Sequence, residues 1–515
     1  VTEPAPRRRG LRRASTWTRL SEPVQATQDV FEQSEALLLD PILLLRRTET
    51  AVVRADLAVP GVLSAAELSR LRYLASFARL GRFTPGAARA NGASTVPVRP
   101  EIDLAPDVEA LRRRTVAELA DPVRRVRDPR ARLERAGKAL TALAPLLEET
   151  RDTVLAKYAA QFSAAELAAE VAHRELVLVM GGGAGAGHVY LGALGMLADE
   201  GLLPSYMLGA SIGSLYGGIF GRDAVPDYEA LSGFAKSLTM ADVLAPPRRH
   251  RFHGMPGMFG LNLGNALHPM LCHPDGTPVR MNETGIPFEA VVAGVRPSAF
   301  ATLPNRLKYA EISLISSRAG AATRRGAALA ARMWQVGAFF DSRVVKPIVI
   351  GADPASASMR VVDAIGFSCA VPGVLHYESD EHAERGLLDA LLEDKGVRAL
   401  VDGGATSNVP AELAWRRVQD GRIGTRNAIV LAFDCFHPQW DPRHLWMTPI
   451  TQSLQVQMVR NAPFADWVRR FSPTLGVLDL VPGAERFDRA AEWGRASLAA
   501  DLPMLRALLE PTHWD

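Results

Sequence analysis

Residues 176–218 read LVLVMGGGAGAGHVYLGALGMLADEGLLPSYMLGASIGSLYGG. Leu176–Met180 is a short unbroken apolar run stopped by glycines, the pattern of a parallel strand buried on both faces. The glycine loop over 181–187 leads into a predicted helix over 189–200, closed by Gly201 at a C′ position with Pro204 beyond it. Tyr206–Leu208 predicts the next strand, and Gly209-Ala210-Ser211-Ile212-Gly213 follows at once. That order sets a row of free backbone N–H groups beside an exposed serine. Such a pair suits acyl transfer, in which the hydroxyl attacks a carbonyl and the N–H groups hold the resulting oxyanion.

Working outward, similar apolar runs recur over 288–293, 346–350 and 428–433, separated by helical patterns such as 326–340. The alternation predicts an α/β fold with a parallel or mixed sheet covered by helices on both faces. Before it, residues 31–173 predict a helical N-terminal domain. There Ser64 and Ser163 each precede a Glu by three residues, as in a capping box. Residues 84–107, rich in Pro and Gly, predict a loop within this domain. Residues 1–30 predict a disordered basic tail, 174–440 the catalytic domain, and 441–515 a C-terminal helical region, with Pro503 starting or breaking a helix.

The chain has 515 residues, 48% of them hydrophobic, and a net charge of +3. That is enough for two or three domains, and the charge bias is too weak to point to nucleic acid. Cys272, Cys369 and Cys435 are far apart and form no CxxC, which favours a reducing compartment, here the cytoplasm. No apolar run reaches the roughly 20 residues needed to span a bilayer. The arginines at 7–9 and 12–13 are followed by no apolar stretch of signal-peptide type.

Gly209 and Gly213 meet the need for small residues around a nucleophile elbow, where a serine sits at a strand-to-helix turn. The competing reading is a Ser211 that merely caps a helix. Gly181-x-Gly183-x-x-Ala186 also fits a dinucleotide loop, but that requires an acid at the end of the second strand, and Leu208-Gly209-Ala210-Ser211 stands there. For a base, His437, His376, His382 and His513 have no local context that marks them. Asp402-Gly403-Gly404 follows the apolar run 398–401, so a strand-end carboxylate near the serine could take its proton; an ordinary Asp-Gly turn is the alternative. His268, Cys272 and His273 lack a second group at metal-binding spacing, so neither metal nor cofactor is expected. Arg248, Arg249, His250, Arg251 and His253, before Gly254-Met255-Pro256-Gly257, read as a lid touching an anionic lipid surface or as a solvated charge run. The basic helix around Arg70–Arg82 and the leucines 37–39 and 43–45 carry the same choice between membrane contact and packing.

A glycine-rich loop, Gly-x-Ser-x-Gly and a distant Asp-Gly-Gly, in that order, resemble the patatin-like phospholipases. Ser368-Cys369-Ala370-Val371-Pro372-Gly373 is similar to that family's small-residue segment ahead of the Asp strand. Over residues 174–435 the resemblance implies a three-layer patatin-like sheet and a Ser–Asp dyad without histidine. It implies Ser211 as nucleophile, Asp402 as base, and Gly182, Gly183 and Ala184 as the oxyanion loop. The family's usual Arg or Lys after the glycines is absent, its place taken by Gly185 or Ala186. One branch, of triacylglycerol-lipase type, also lacks it and resembles this chain in Gly201-Leu202-Leu203-Pro204 and a preceding helical extension. The implied activity is a lipid acyl hydrolase, a serine carboxylic-ester hydrolase acting on phospholipids or neutral glycerolipids, with a lipid substrate and peripheral membrane contact. The alternatives are acyl transfer to a lipid alcohol and a catalytically silent membrane- or partner-binding protein on the same scaffold. Lipid preference and oligomeric state are not legible in the chain.

Overall fold

The computed structural model describes residues 40–86, 99–246, 253–302, 343–439 and 448–514. The expected basic tail, Leu37–Leu39, the helix expected over 326–340 and the arginines at 248, 249 and 251 lie outside the described residues. Strands β1 (Glu175–Met180), β2 (Tyr206–Ala210), β3 (Phe288–Val295), β4 (Val345–Ile350), β5 (Ala399–Asp402), β6 (Ala428–Asp434) and β7 (Trp467–Arg470) form one mixed sheet. β7, β6, β1, β2 and β3 run parallel in that spatial order. β4 pairs antiparallel along one edge of β3 over 290–295. The other edge is shared: β2 covers 288–291 and antiparallel β5 covers 292–295. The two strands therefore meet with their C-terminal ends facing, Ala210 opposite Val291 and Asp402 opposite Val292.

Ahead of the sheet lie helices α1 (Pro41–Ala58), α2 (Ala65–Ala78), α3 (Pro129–Lys157) and α4 (Ala164–Ala172), with a further helix over Ala105–Thr115. Both capping boxes form: Ser64 with Glu67 and Ser163 with Glu166. The Pro-rich stretch around 84–107 is bracketed by a two-residue pairing of Arg82–Phe83 with Ile102–Asp103. Leu43, Leu44 and Leu45 are buried, so this end of the leucine-rich segment packs inward. Arg72 of α2 and Arg79 just after it also turn inward, whereas Arg70 stays exposed. Arg72, Arg79 and Arg174, which directly precedes β1, converge on the buried Glu49 carboxylate at 3.1, 2.9 and 2.6 Å. Burial alone would raise Glu49, but the three guanidiniums hold it down at about 2.

Side chains of successive strand residues alternate between two cores. Leu176, Leu178 and Met180 join the core under α5 (Val189–Asp199), α6 (Ile212–Phe220) and α7 (Val361–Ser368). Val177 and Val179 join the opposite core under α8 (Ala411–Gln419) and α9 (Thr448–Asn461). Helices on both faces make three layers, which explains why these strands read as unbroken apolar runs. The C-terminal region adds α10 (Ala484–Ala499) and α11 (Leu502–Leu509), with Pro503 in the first turn of α11. The tail then returns to the N-terminal helices, where Trp514 joins their core and its carbonyl accepts from Arg70 Nε at 2.8 Å.

One difference from the sequence reading is β7, which lies in the stretch expected to be helical. Its four residues, Trp-Val-Arg-Arg, are only partly buried at the edge of the sheet. So short and half-polar a strand has neither the apolar run nor the alternation that would mark it.

Candidate active site

The turn from β2 into α6 is tight enough to dictate its composition. A Cβ on Gly209 would lie 2.5 Å from Gly213 C, and one on Gly213 would lie 2.2 Å from Met180 O. Between them Ser211 is held at φ 53° and ψ −125°, a conformation that costs a non-glycine residue about 1–3 kcal/mol. Its neighbours fix it there. Ser211 N donates to Ser368 Oγ at 2.9 Å, and Ser368 Oγ donates to Val291 O at 2.6 Å. Ser211 O accepts from Ser214 N at 2.8 Å and from Ser214 Oγ at 2.6 Å. Among the described residues, the non-glycine positions with positive φ are Ser211 and Ala184. The strained backbone is thus concentrated at the elbow and the glycine loop facing it.

That loop packs directly against the serine, since a Cβ on Gly182 would lie 3.1 Å from Ser211 Cβ. Gly182 N donates to Asn408 O at 3.0 Å, so this amide anchors the loop. The N–H groups of Gly183 and Ala184 have no hydrogen-bond partner among the described residues. The missing basic residue also has a physical reason. A Cβ on Gly185 would lie 2.4 Å from Gly476 O, because the segment 476–479 crosses there. Ala186 is fully buried.

Asp402 ends β5, beside the end of β2. Its Oδ1 accepts from Gly404 N at 2.8 Å, and its backbone N donates to Ala370 O at 2.9 Å. Oδ2 is buried without a hydrogen bond of ordinary geometry, although the Ser211 hydroxyl is close enough to favour the ionised carboxyl. Burial dominates, against the opposing pull of that hydroxyl and of the Gly404 amide, and raises Asp402 to about 6. The Cys369 thiol also lies close to Asp402 and Ser211. Burial and the Asp402 charge push that thiol up, so it stays protonated.

His188, His376 and His437 are engaged elsewhere. His188 Nδ1 pairs with Tyr216 OH at 2.7 Å, its Nε2 faces the Asp479 and Leu480 carbonyls at 3.1 Å, and burial lowers it to about 4. His437 Nε2 pairs with Phe471 O at 3.1 Å, and His376 Nδ1 with Met255 O at 2.8 Å. Among the described residues no histidine hydrogen-bonds Ser211. Cys272 Sγ lies 3.1 Å from His268 Nδ1, and no group of three or more His, Cys, Asp or Glu side chains among the described residues could hold a metal.

A strained serine elbow, an amide-bearing glycine loop and a buried carboxylate meet where two strand ends face each other. Residues 178–415 match the family model described as patatin-like phospholipase. Residues 178–415 form a domain of that family. A domain of this family is a lipid hydrolase domain in general terms. No curated protein matches the chain significantly. In this patatin-like chain, Ser368 carries the elbow through a hydrogen bond that its small-residue segment only hinted at. Asn408, in the turn after Asp402, ties that turn to the glycine loop, and nothing in its local pattern marks it.

Proposed function

We propose that the protein is a serine lipid acyl hydrolase working through Ser211 and Asp402. The observation that carries this reading is the strained Ser211 elbow beside a buried carboxylate raised to about 6. Such a carboxylate is largely ionised at neutral pH yet basic enough to accept a proton. Ser211 Oγ attacks the acyl carbon and passes its proton to Asp402. The tetrahedral oxyanion accepts from Gly183 and Ala184 N–H, while Gly182 steadies the loop. The C–O bond to the alcohol breaks, and Asp402 returns the proton to the departing oxygen. Water then attacks the acyl-enzyme and gives its proton to Asp402; the C–O bond to Ser211 breaks, Asp402 passes the proton to Ser211 Oγ, and a fatty acid leaves.

The proposed substrates are fatty-acyl esters of phospholipids or neutral glycerolipids, reached by peripheral contact with a lipid surface. No described helix is long and apolar enough to cross a membrane. Met240 and Phe259 are nearly half exposed, and Phe259 pairs with Leu375 a few residues past Ser368. These apolar side chains are the proposed lipid-facing edge.

The test is labelling by a fluorophosphonate probe together with hydrolysis of p-nitrophenyl acyl esters, in wild type and Ser211→Ala. Wild type should label and turn over, and a folded Ser211→Ala variant should do neither. Full activity in that variant refutes the mechanism. Products formed with and without a lipid alcohol acceptor separate hydrolysis from acyl transfer.

A further inference from the structure

The turn that follows Asp402 has a support outside the matched domain. Residues 403–410 leave the sheet before α8 begins, so the backbone groups at Ala405 and Asn408 have no ladder partner and need one elsewhere. Helix α9 supplies it. Gln457 Oε1 accepts from Asn408 N at 2.8 Å, and Gln457 Nε2 donates to Ala405 O at 3.2 Å. One side-chain amide thus serves both groups, which neither a carboxylate nor an ammonium could do.

One helical turn on, and so on the same face, Asn461 extends the contact. Its Oδ1 accepts from Glu412 N at 3.0 Å, and its Nδ2 donates to Ser407 Oγ at 3.2 Å and to Gln457 O at 3.0 Å. Asn461 is 3% exposed. Arg460 Nε donates to Glu412 Oε2 at 2.7 Å and closes the seam between α9 and α8. The far side of the same turn holds the glycine loop, because Asn408 O accepts from Gly182 N. Asn408 is therefore gripped from α9 on one side while it anchors the proposed oxyanion loop on the other.

We infer that Gln457 and Asn461 are positioning residues: they clamp the 403–410 turn so that Asp402 and the glycine loop keep their spacing to Ser211. This rests on the Ser211–Asp402 reading above. Neither residue touches a reacting atom. The clamp acts through distance, to which such reactions are steep: a displacement of about 1 Å costs on the order of 100-fold. It also keeps water from Asp402, because a loosened turn would open the pocket in which the carboxyl is buried.

The variants are Gln457→Met, which keeps the volume and removes both hydrogen bonds, Gln457→Glu, which keeps the acceptor for Asn408 and loses the donor to Ala405, and Asn461→Ala. Each is compared with wild type by kcat and KM on a p-nitrophenyl ester. Active sites are titrated with a fluorophosphonate, so that partial unfolding is divided out. Gln457→Met should lower kcat per titrated site by about 10- to 100-fold with KM nearly unchanged, and Gln457→Glu should fall between it and wild type. The acidic limb of the kcat/KM profile, near 6 in wild type, should move down toward the ordinary aspartate range in Gln457→Met as water reaches Asp402. Wild-type kcat per site and an unmoved limb in Gln457→Met and Asn461→Ala overturn the clamp. So does a loss confined to the titrated fraction. Should Gln457→Met not fold, Gln457→Glu and Asn461→Ala decide by the same readouts. A wild-type protein that neither labels nor turns over instead overturns the Ser211–Asp402 reading itself, and the clamp with it.

Discussion

Asp402→Asn should make the protein more stable and stop it working. Asp402 is 7% exposed, and its buried Oδ2 lacks a hydrogen bond of ordinary geometry. Burial raises it to about 6, against about 4 for an aspartate in an unfolded chain. Between those values the folded protein binds the proton that the unfolded chain has lost. Stability therefore falls as pH rises from about 4 through 6, and levels off above. The full difference is on the order of 3 kcal/mol. Asparagine does not ionise, and its oxygen can still accept from Gly404 N. The advantage of Asp402→Asn over wild type should thus be near zero at pH 4 and on the order of 3 kcal/mol at pH 8. In thermal unfolding followed across that range, this is a gain of roughly 3–5 °C at the alkaline end. Hydrolysis should fall by about 100- to 10,000-fold, the usual worth of a general base. An advantage that is the same at pH 4 and pH 8, or a variant less stable than wild type at pH 8, refutes the claim that Asp402 is held ionised at a cost.

Gly213→Ala puts a Cβ 2.2 Å from Met180 O, so the elbow must open. Fluorophosphonate labelling should be lost along with about 1–3 kcal/mol of stability, and normal labelling would show that the turn tolerates a side chain. Glu49→Gln removes the one negative charge shared by Arg72, Arg79 and Arg174 and should cost about 3–5 kcal/mol in denaturant unfolding at pH 7. Glu49 is held at about 2, below its unfolded value. Its contribution is therefore full above about 4.5 and vanishes as pH falls toward 2, so the gap between Glu49→Gln and wild type should close in acid.

Much of this was legible because the decisive signals are local. β1 is an unbroken apolar run since helices cover both its faces, and the elbow glycines are forced by contacts with residues a few positions away or on the adjacent strand. The caps at Ser64 and Ser163 are likewise written within four residues. What was hidden is non-local. The Asp402 strand runs antiparallel to β3 and stops opposite Val292, a register that no local pattern near 399–402 encodes. β7 is too short and too polar to stand out. Gln457 and Asn461 are ordinary amides on a helix, and their use appears only when the turn after Asp402 comes to rest beside them. The resemblance implies Gly182, Gly183 and Ala184 together as the oxyanion loop. Folding spends the Gly182 amide on Asn408, and only a tertiary contact could reveal that.

The facing ends of β2 and β5 have a consequence for how such a scaffold can change. Both reacting groups are placed by neighbouring positions of a single strand: Ser211 follows Ala210, which lies opposite Val291, and Asp402 lies opposite Val292. The long excursion over 221–287 departs after the serine is already fixed, and the one over 377–398 rejoins the sheet before the aspartate. Lengthening, shortening or exchanging either excursion reshapes what is admitted to the cleft, while the bond-breaking machinery keeps its dimensions. Selectivity and chemistry can thus diversify independently, and chimaeras that swap these two excursions between homologous chains should inherit the donor's taste and retain the recipient's turnover.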